Sequence, residues 1–244
     1  MRVFFNHHPI QTYKAFKAWT KDSNEHVRRW VSEGSRPNLP WGKKISNLDI
    51  KKNIQLLEHL KDDPSEYVRK SVANHMNDIS WIDADLTLKT LKKWQKLKNK
   101  ERQWIIKHAL RSLLKQGHPE ALEILDFSSK TKTKIESLKL SKKKINEGES
   151  FDLSFEVQNL EKKDVNLMID YIVFYPKANG QLSPKVFKLK SLTLPARKKT
   201  QITKKIHFKK VTVRKHYKGE HKVQIQINGL RKDTTTFLLS LIHI

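Results

Sequence analysis

A repeat constrains this chain more than any other feature. Residues 22–41 read DSNEHVRRWVSEGSRPNLPW and residues 63–78 read DPSEYVRKSVANHMND. At an offset of 41, Asp22 stands opposite Asp63, Glu25 opposite Glu66, Val27 and Arg28 opposite Val68 and Arg69, and Val31 opposite Val72. Each copy predicts a helix start, with Asp at the N-cap and Glu three residues on closing a capping box, and with Pro64 at a first helical position that needs no amide donor. A third copy lies in QWIIKHALRSLL, where Ile106 and Lys107 stand for Val68 and Arg69 at an offset of 38. A period of roughly 40 residues made of helix pairs predicts a HEAT-like α-solenoid, in which stacked pairs leave one concave face for binding.

Helical spacing fills in the rest of the first half. Pro9 begins a helix with Ile10, Tyr13, Phe16 and Trp19 on its apolar face, and the chain opens as if inside the repeat architecture, so further helices are expected upstream. SRPNLPWGK breaks the helix after the first copy, because Pro37, Pro40 and Gly42 cannot continue it. Ile50, Ile54, Leu57 and Leu60 mark another helix from Asp49, Ser80 and Asp83 cap a third with Leu88, Leu91 and Trp94, and residues 101–116 form a fourth that stops at a left-handed Gly117. A short helix follows from Pro119.

At residue 128 the period changes. SSKTKTK is polar and aperiodic and reads as a linker, and beyond it residues alternate. Phe151, Leu153, Phe155 and Val157 predict a strand with one buried face, as do Val165, Leu167, Ile169, Tyr171 and Val173, with further strands at 186–189, 202–208 and 223–227 and a last one ending near Phe237 or Leu238. About seven short strands predict an immunoglobulin-like antiparallel β-sandwich. The expected organisation is multidomain, α then β, with a helical domain over 1–129 and a sandwich over 130–244. The last six residues, LSLIHI, coincide with one reading frame of a transposon-end sequence used in preparing sequencing libraries, and are expected to be read-through; a genuine final strand is the alternative.

Charge narrows the partners. Fifty Lys and Arg against 25 Asp and Glu give a formal net charge of +25, a field that attracts polyanions, nucleic acid first among them. The excess is spread: 25 basic and 15 acidic residues precede position 131, and 25 and 10 follow it. A Lys-rich solvated surface without a partner is the bland alternative. No apolar run approaches the roughly 20 residues that span a bilayer. With no Cys, disulfides and thiol catalysis are excluded, and neither HExxH nor any nucleotide fingerprint is present. No metal and no cofactor are expected.

NEHVRRWVSEGSRPNLPWG, SEYVRKSVANHMNDIS and ERQWIIKHALRSLLKQGHPEAL resemble three consecutive signature segments of the AlkC-type DNA alkylation repair family. The resemblance covers residues 2 to about 127. It implies a bacterial, cytoplasmic, nucleoid-associated DNA glycosylase, monomeric, that removes 3-methylated bases such as 3-methyladenine and 3-methylcytosine from double-stranded DNA, with an immunoglobulin-like domain after the repeats. It also implies further helices upstream that carry another active-site carboxylate. A non-catalytic HEAT-repeat DNA-binding or scaffold protein is the alternative reading of the same cations.

A base methylated at N3 is already a cationic leaving group, so its release needs negative charge beside the sugar more than it needs an acid. Glu33 and Asp78, near the ends of the first two motif helices, are the candidates. The resemblance carries both to family active-site carboxylates. On spacing alone, Glu33 could instead pair with Arg29 on the helix surface, and Asp78 could be a turn residue. Trp41 could cap a core or stack on a sugar or cationic base, the role that the resemblance implies. Trp104 is expected in the core. Arg28, Arg29, Arg36, Arg69, Lys70, Lys107 and Arg111 recur on the motif helices or their exits and are expected to follow a phosphate backbone, some of them pairing instead with Glu25 or Glu66. In the second half, clusters at 142–144, 197–199, 204–205 and 209–215 flank turns that could meet DNA, with protection of strand edges as the alternative.

Overall fold

The computed structural model describes residues 2–46, 48–97, 99–209 and 215–241. It falls into two compact units, Met1–Leu114 and Lys115–Ile244.

In the first unit, α1 (Arg2–His7) and α2 (Pro9–Trp19) precede α3 (Glu25–Gly34), α4 (Ile50–Leu60), α5 (Glu66–Ile79), α6 (Ala84–Gln95) and α7 (Lys100–Ala109). The repeated helices α3, α5 and α7 pack side by side, while α2, α4 and α6 pack against them as a second layer. Val31, Val68, Val72, Ile105 and Ile106 are buried between them, so the shared apolar register of the three motifs is the seam of the stack. Phe16 and Phe5 fill the start of the layer with edge-on ring contact at 5.2 Å, whereas Ile10, expected on the buried face of α2, is exposed.

The repeat holds but its caps shift. Asn24 and Ser65, not Asp22 and Asp63, are the N-caps of α3 and α5, and Pro64 lies before the helix. Each Asp instead makes a turn one step earlier: Asp22 Oδ1 accepts from the Asn24 amide at 2.8 Å and Asp63 Oδ1 from the Ser65 amide at 2.9 Å. This is the local side-chain-to-backbone bond that Asp makes two residues on. The third copy differs more, since α7 starts at Lys100 under an Asn99 cap, about one turn ahead of where the apolar register would place it. Asp49 and Asp83 cap α4 and α6 through the Lys52 and Leu86 amides. The expected single helix over 101–116 is divided at Leu110 into α7 and α8 (Arg111–Gln116).

The second unit carries α9 (Pro119–Ile124) and eight strands: β1 (Thr133–Leu140), β2 (Lys144–Asn146), β3 (Ser150–Asn159), β4 (Val165–Pro176), β5 (Leu182–Leu194), β6 (Lys199–His207), β7 (Gly219–Ile227) and β8 (Leu230–Ser240). Three strands form one sheet in the order β1-β3-β6 and five form the other in the order β2-β8-β7-β4-β5. The chain changes sheets between β1 and β2, and β2 pairs parallel to β8. Phe151, Leu153, Phe155, Val157, Ile202 and Ile206 of the first sheet meet Leu167, Ile169, Val173, Val223, Ile225 and Phe237 of the second in one apolar core. This is an immunoglobulin-like sandwich.

Four expectations change here. Part of the supposed linker is strand, because β1 begins at Thr133. Both faces of β4 are buried, Met168, Asp170 and Ile172 as well as the core row. The units divide at 114/115 rather than near 130: α9 and the following turn belong with the sandwich, where Asn228 Nδ2 donates to the Ser128 carbonyl at 2.9 Å. Gly117 lies against Gly229 so closely that a Cβ on either would sit 2.7 Å from the other's backbone, and Gly117 has the left-handed φ of 75° expected of it. Finally, Leu239 is buried and Ser240 pairs with Asn146, so the last strand runs into the LSLIHI segment. Residues 242–244 of that segment, and 210–214 of the basic cluster, lie outside the described residues.

Candidate active site

Glu33 ends the last turn of α3 on the wall of a cavity of about 580 Å³. The lining is largely aromatic, with Trp30, Trp41, Tyr67 and His26, and it also holds Arg2, Arg29 and Lys43. Trp41 follows the Pro-rich loop and is 81% exposed, so it caps no core and presents its indole to solvent beside the carboxylate. Trp30, Tyr67 and His26 were missed by sequence reasoning. The available signal was Trp30, a large aromatic just outside the apolar row of Val27 and Val31.

The Glu33 carboxylate is fixed at both oxygens. Arg29 Nη2 donates to Oε1 at 3.0 Å and Arg36 Nη1 to Oε2 at 2.9 Å. Arg29 itself lies over the Tyr67 ring, 3.9 Å from its centroid, and donates to the Tyr67 carbonyl. The ion pair expected on the helix surface therefore exists, but it lies in a cavity wall, with only 12% of the Glu33 side chain exposed.

Asp78, at the end of α5, joins Glu33 through one guanidinium. Arg36 Nε donates to Asp78 Oδ2 at 2.9 Å while its Nη1 holds Glu33. Only 8% of the Asp78 side chain and 9% of the Arg36 side chain are exposed, and Asp78 does not line the cavity. Burial pushes the Asp78 carboxyl above its usual range; Arg36, the charge of Arg111 and the Asn38 backbone N–H oppose that rise. The Asn38 backbone N–H faces the same carboxylate from the loop leading to Trp41. Arg2 reaches in from α1, donating to the Arg36 carbonyl at 2.7 Å.

Behind this cluster lies a buried polar chain. Tyr13 donates to Asn53 Oδ1 at 2.8 Å, and Asn53 Nδ2 donates to the Ser35 carbonyl at 2.8 Å and to His75 Nε2 at 3.1 Å. Ser71 and Ser32 share a bond at 2.8 Å beside it. Burial and the charge of Arg36 push the His75 imidazole down to about 3, so it is neutral and can accept at Nε2.

The cations expected on a phosphate backbone divide into two groups. Arg28 is turned inward, with Nε and Nη2 on Asp63 at 2.6 and 2.9 Å and Nη1 on the Asp22 and Ser23 carbonyls. Arg69 repeats the second part of that pattern on the Asp63 and Pro64 carbonyls. With Arg36 committed to two carboxylates, these three arginines hold the fold and the site together. Lys70 and Lys107 are exposed, Lys70 beside Glu66 at 2.9 Å, and Arg29 and Arg111 are half-buried. Trp104, expected in the core, is 39% exposed and stacks on His108 at 4.8 Å. Among the described residues no group of three or more His, Asp or Glu side chains could hold a metal ion, and no helix is long and apolar enough to cross a membrane.

Residues 134–241 match the family model described as "Uncharacterised protein YhaZ, C-terminal Ig-like domain". The Bacillus subtilis (strain 168) protein described as "Uncharacterized protein YhaZ" is 41% identical over 222 residues, which are 90% of this chain and 61% of that protein. The chain therefore spans about three-fifths of the length of this curated relative. The solved structure of Pseudomonas fluorescens alkylpurine DNA glycosylase AlkC bound to DNA containing an abasic site analog is similar at a TM-score of 0.95 and 41% identity, over 98% of this chain and 67% of that one. With that identity and coverage, and with the three motif segments forming α3, α5 and α7, the chain belongs to the AlkC-type DNA alkylation repair family.

Proposed function

We propose that this chain belongs to a monofunctional DNA glycosylase that hydrolyses the bond between deoxyribose and a cationic 3-methylated base, such as 3-methyladenine or 3-methylcytosine, in alkylated double-stranded DNA. The observation that carries the reading is the Glu33 carboxylate held at both oxygens in a cavity walled by Trp30, Trp41 and Tyr67. As the glycosidic bond breaks, positive charge moves from the base to the sugar, and a fixed carboxylate stabilises it without having to reorganise. Water completes the reaction, so no lysine nucleophile is needed. Trp41 supplies a face on which a sugar or cationic base can stack. Asp78 adds negative charge from behind Arg36.

In this reading the paired helices are a HEAT-like solenoid, the helical domain binds DNA and carries the chemistry, and exposed Lys70 and Lys107 with half-buried Arg29 and Arg111 meet phosphates. The protein acts as a cytoplasmic monomer that joins the nucleoid when bound to DNA, and it needs no metal or nucleotide cofactor. Release of methylated base from alkylated duplex tests this. Glu33→Gln should lower the single-turnover rate on the order of 100-fold or more, as removal of one preorganised electrostatic group does in other enzymes. Wild-type release by that variant removes Glu33 from the site. Equal affinity for undamaged duplex and for duplex bearing a cationic abasic-site mimic would mark a DNA-binding scaffold instead.

A further inference from the structure

The sequence places Arg36 among the phosphate contacts, but its side chain has no phosphate-facing surface to offer. Its Nη1 and Nε are used on Glu33 Oε2 and Asp78 Oδ2, both at 2.9 Å, and 9% of the side chain is exposed. The two carboxylates stand in the last turns of neighbouring motif helices, Glu33 on α3 and Asp78 on α5, so this guanidinium is the link that sets their separation. Its planar fork, with Nε and Nη1 donating in different directions, suits that task, and an ammonium cannot reproduce it.

We propose that Arg36 is a positioning residue: it locks the Glu33 carboxylate toward the cavity and, together with Asp78, pins the loop that carries Trp41. The inference rests on the glycosylase reading above for its effect on rate, but not for its effect on the carboxylates. Arg36 itself stands in the loop that carries Trp41, five residues before it, so its bonds to Glu33 and Asp78 anchor the loop's start. Loss of Arg36 therefore frees the carboxylate and the indole together. Arg29 from α3, Arg2 from α1 and Arg111 from α8 also face this pair, as does the neutral imidazole of His75 from α5. Of the two carboxylates Arg29 bonds Glu33 alone, Arg2 bonds the Arg36 carbonyl and Arg111 the His108 carbonyl, so none of the three replaces the link.

The test compares Arg36→Lys and Arg36→Met with the unaltered chain in two measurements. In single-turnover release of methylated base, Arg36→Met should lower the rate on the order of 100-fold, the scale of a misplaced reacting group, with the DNA dissociation constant and its salt slope unchanged. Arg36→Lys, which keeps the charge and can hold one carboxylate, should recover part of the rate. A weakened affinity with a salt slope reduced by about 0.9 and an unchanged bound-state rate would make Arg36 a phosphate contact and overturn the proposal. Carboxyl NMR of Asp78 gives the second readout, which needs no activity. Its titration should move to higher pH in Arg36→Met and much less in Arg36→Lys; an unmoved titration in folded Arg36→Met also overturns the proposal. Should the unaltered chain release no base, the NMR arm still decides the positioning claim, and the glycosylase reading alone fails.

Discussion

The two halves of the chain bury different kinds of polar group. Within the helical unit the buried charged side chains are Arg36, Asp63, Asp78 and Arg102, each in an ion pair, and beside them lies the Tyr13–Asn53–His75 chain. In the sandwich the buried polar side chains are mostly amides and imidazoles, Asn159, Gln226, Asn228 and His221 among them, and Asp170, on the face of β4 away from the core row, is the one buried carboxylate among the described residues. A buried ion pair is weak support for stability, because desolvation offsets most of the attraction, yet breaking one is expensive. Charges that are kept under those conditions are kept for placement. The helical half is therefore where a site for charge-stabilised chemistry can be built, and the sandwich is built for rigidity.

Acidification should separate the halves most. The unfolded chain protonates His75 near pH 6.5, while the folded one holds it neutral down to about 3. Folding therefore becomes less favourable as pH falls through that window, by up to about 5 kcal/mol for this group alone. All six tryptophans, at positions 19, 30, 41, 81, 94 and 104, lie in the helical half, so tryptophan fluorescence reads that half by itself. Denaturation midpoints at pH 7 and 4 should differ less in His75→Gln than in the unaltered chain, and equal differences would show that His75 is not the acid-sensitive group.

A core truncation in the sandwich comes next. Phe155 is fully buried, and Phe155→Ala should destabilise the sandwich by about 4 kcal/mol, read as a lower denaturant midpoint at constant m-value. A loss below 1 kcal/mol would mean that the apolar core rearranges freely, against the picture of a rigid sandwich.

The sandwich has a pH response of the opposite sign. Burial pushes the Asp170 carboxyl up to about 6, against the charges of Lys188 and Lys115 and the neighbouring Gln226 amide. Between its unfolded value of 3.8 and about 6, the folded state keeps a proton that the unfolded state gives up. Stability is therefore lost as pH rises through this window, by about 3 kcal/mol in all. Hydrogen exchange of β4 and β7 amides should slow on acidification from pH 6 to pH 4, after correction for intrinsic rates, and Asp170→Asn should abolish that trend. The smallest effect on stability is expected at the site itself: Trp41→Ala should change it by less than about 0.5 kcal/mol, because the indole is exposed, while lowering base release.

Where the sequence was legible, the reason was periodicity reinforced by repetition. The offset of 41 aligned Val31 with Val72 and Arg28 with Arg69 correctly, because the same packing recurs in each helix. The caps slipped by two residues since Asp22 and Asp63 make turns that a linear pattern cannot tell from caps. β1 was partly hidden because its ladder shifts register between Glu136 and Lys139, with Ser137 at φ 55°, so its apolar residues fall out of strict alternation. β5 lies at the sheet edge and is exposed along much of its length, which left only its middle with a readable pattern. Glu33, Asp78 and Trp41 could be singled out from their motifs. That Arg36 joins the two carboxylates could not, because the link spans 42 residues and depends on how two helices stack.

Arg28 carries one more consequence, for the order of assembly. Its guanidinium closes the turn before α3 by gripping the Asp22 and Ser23 carbonyls, and the same group reaches forward to Asp63, which builds the turn before α5. Donor precedes acceptor in the chain. Arg28 is held by the turn before its own helix, and this one link can close only once the turn before α5 has been made. One side chain thus rivets two successive turns, so that a change at Arg28 is felt at the entry to both α3 and α5.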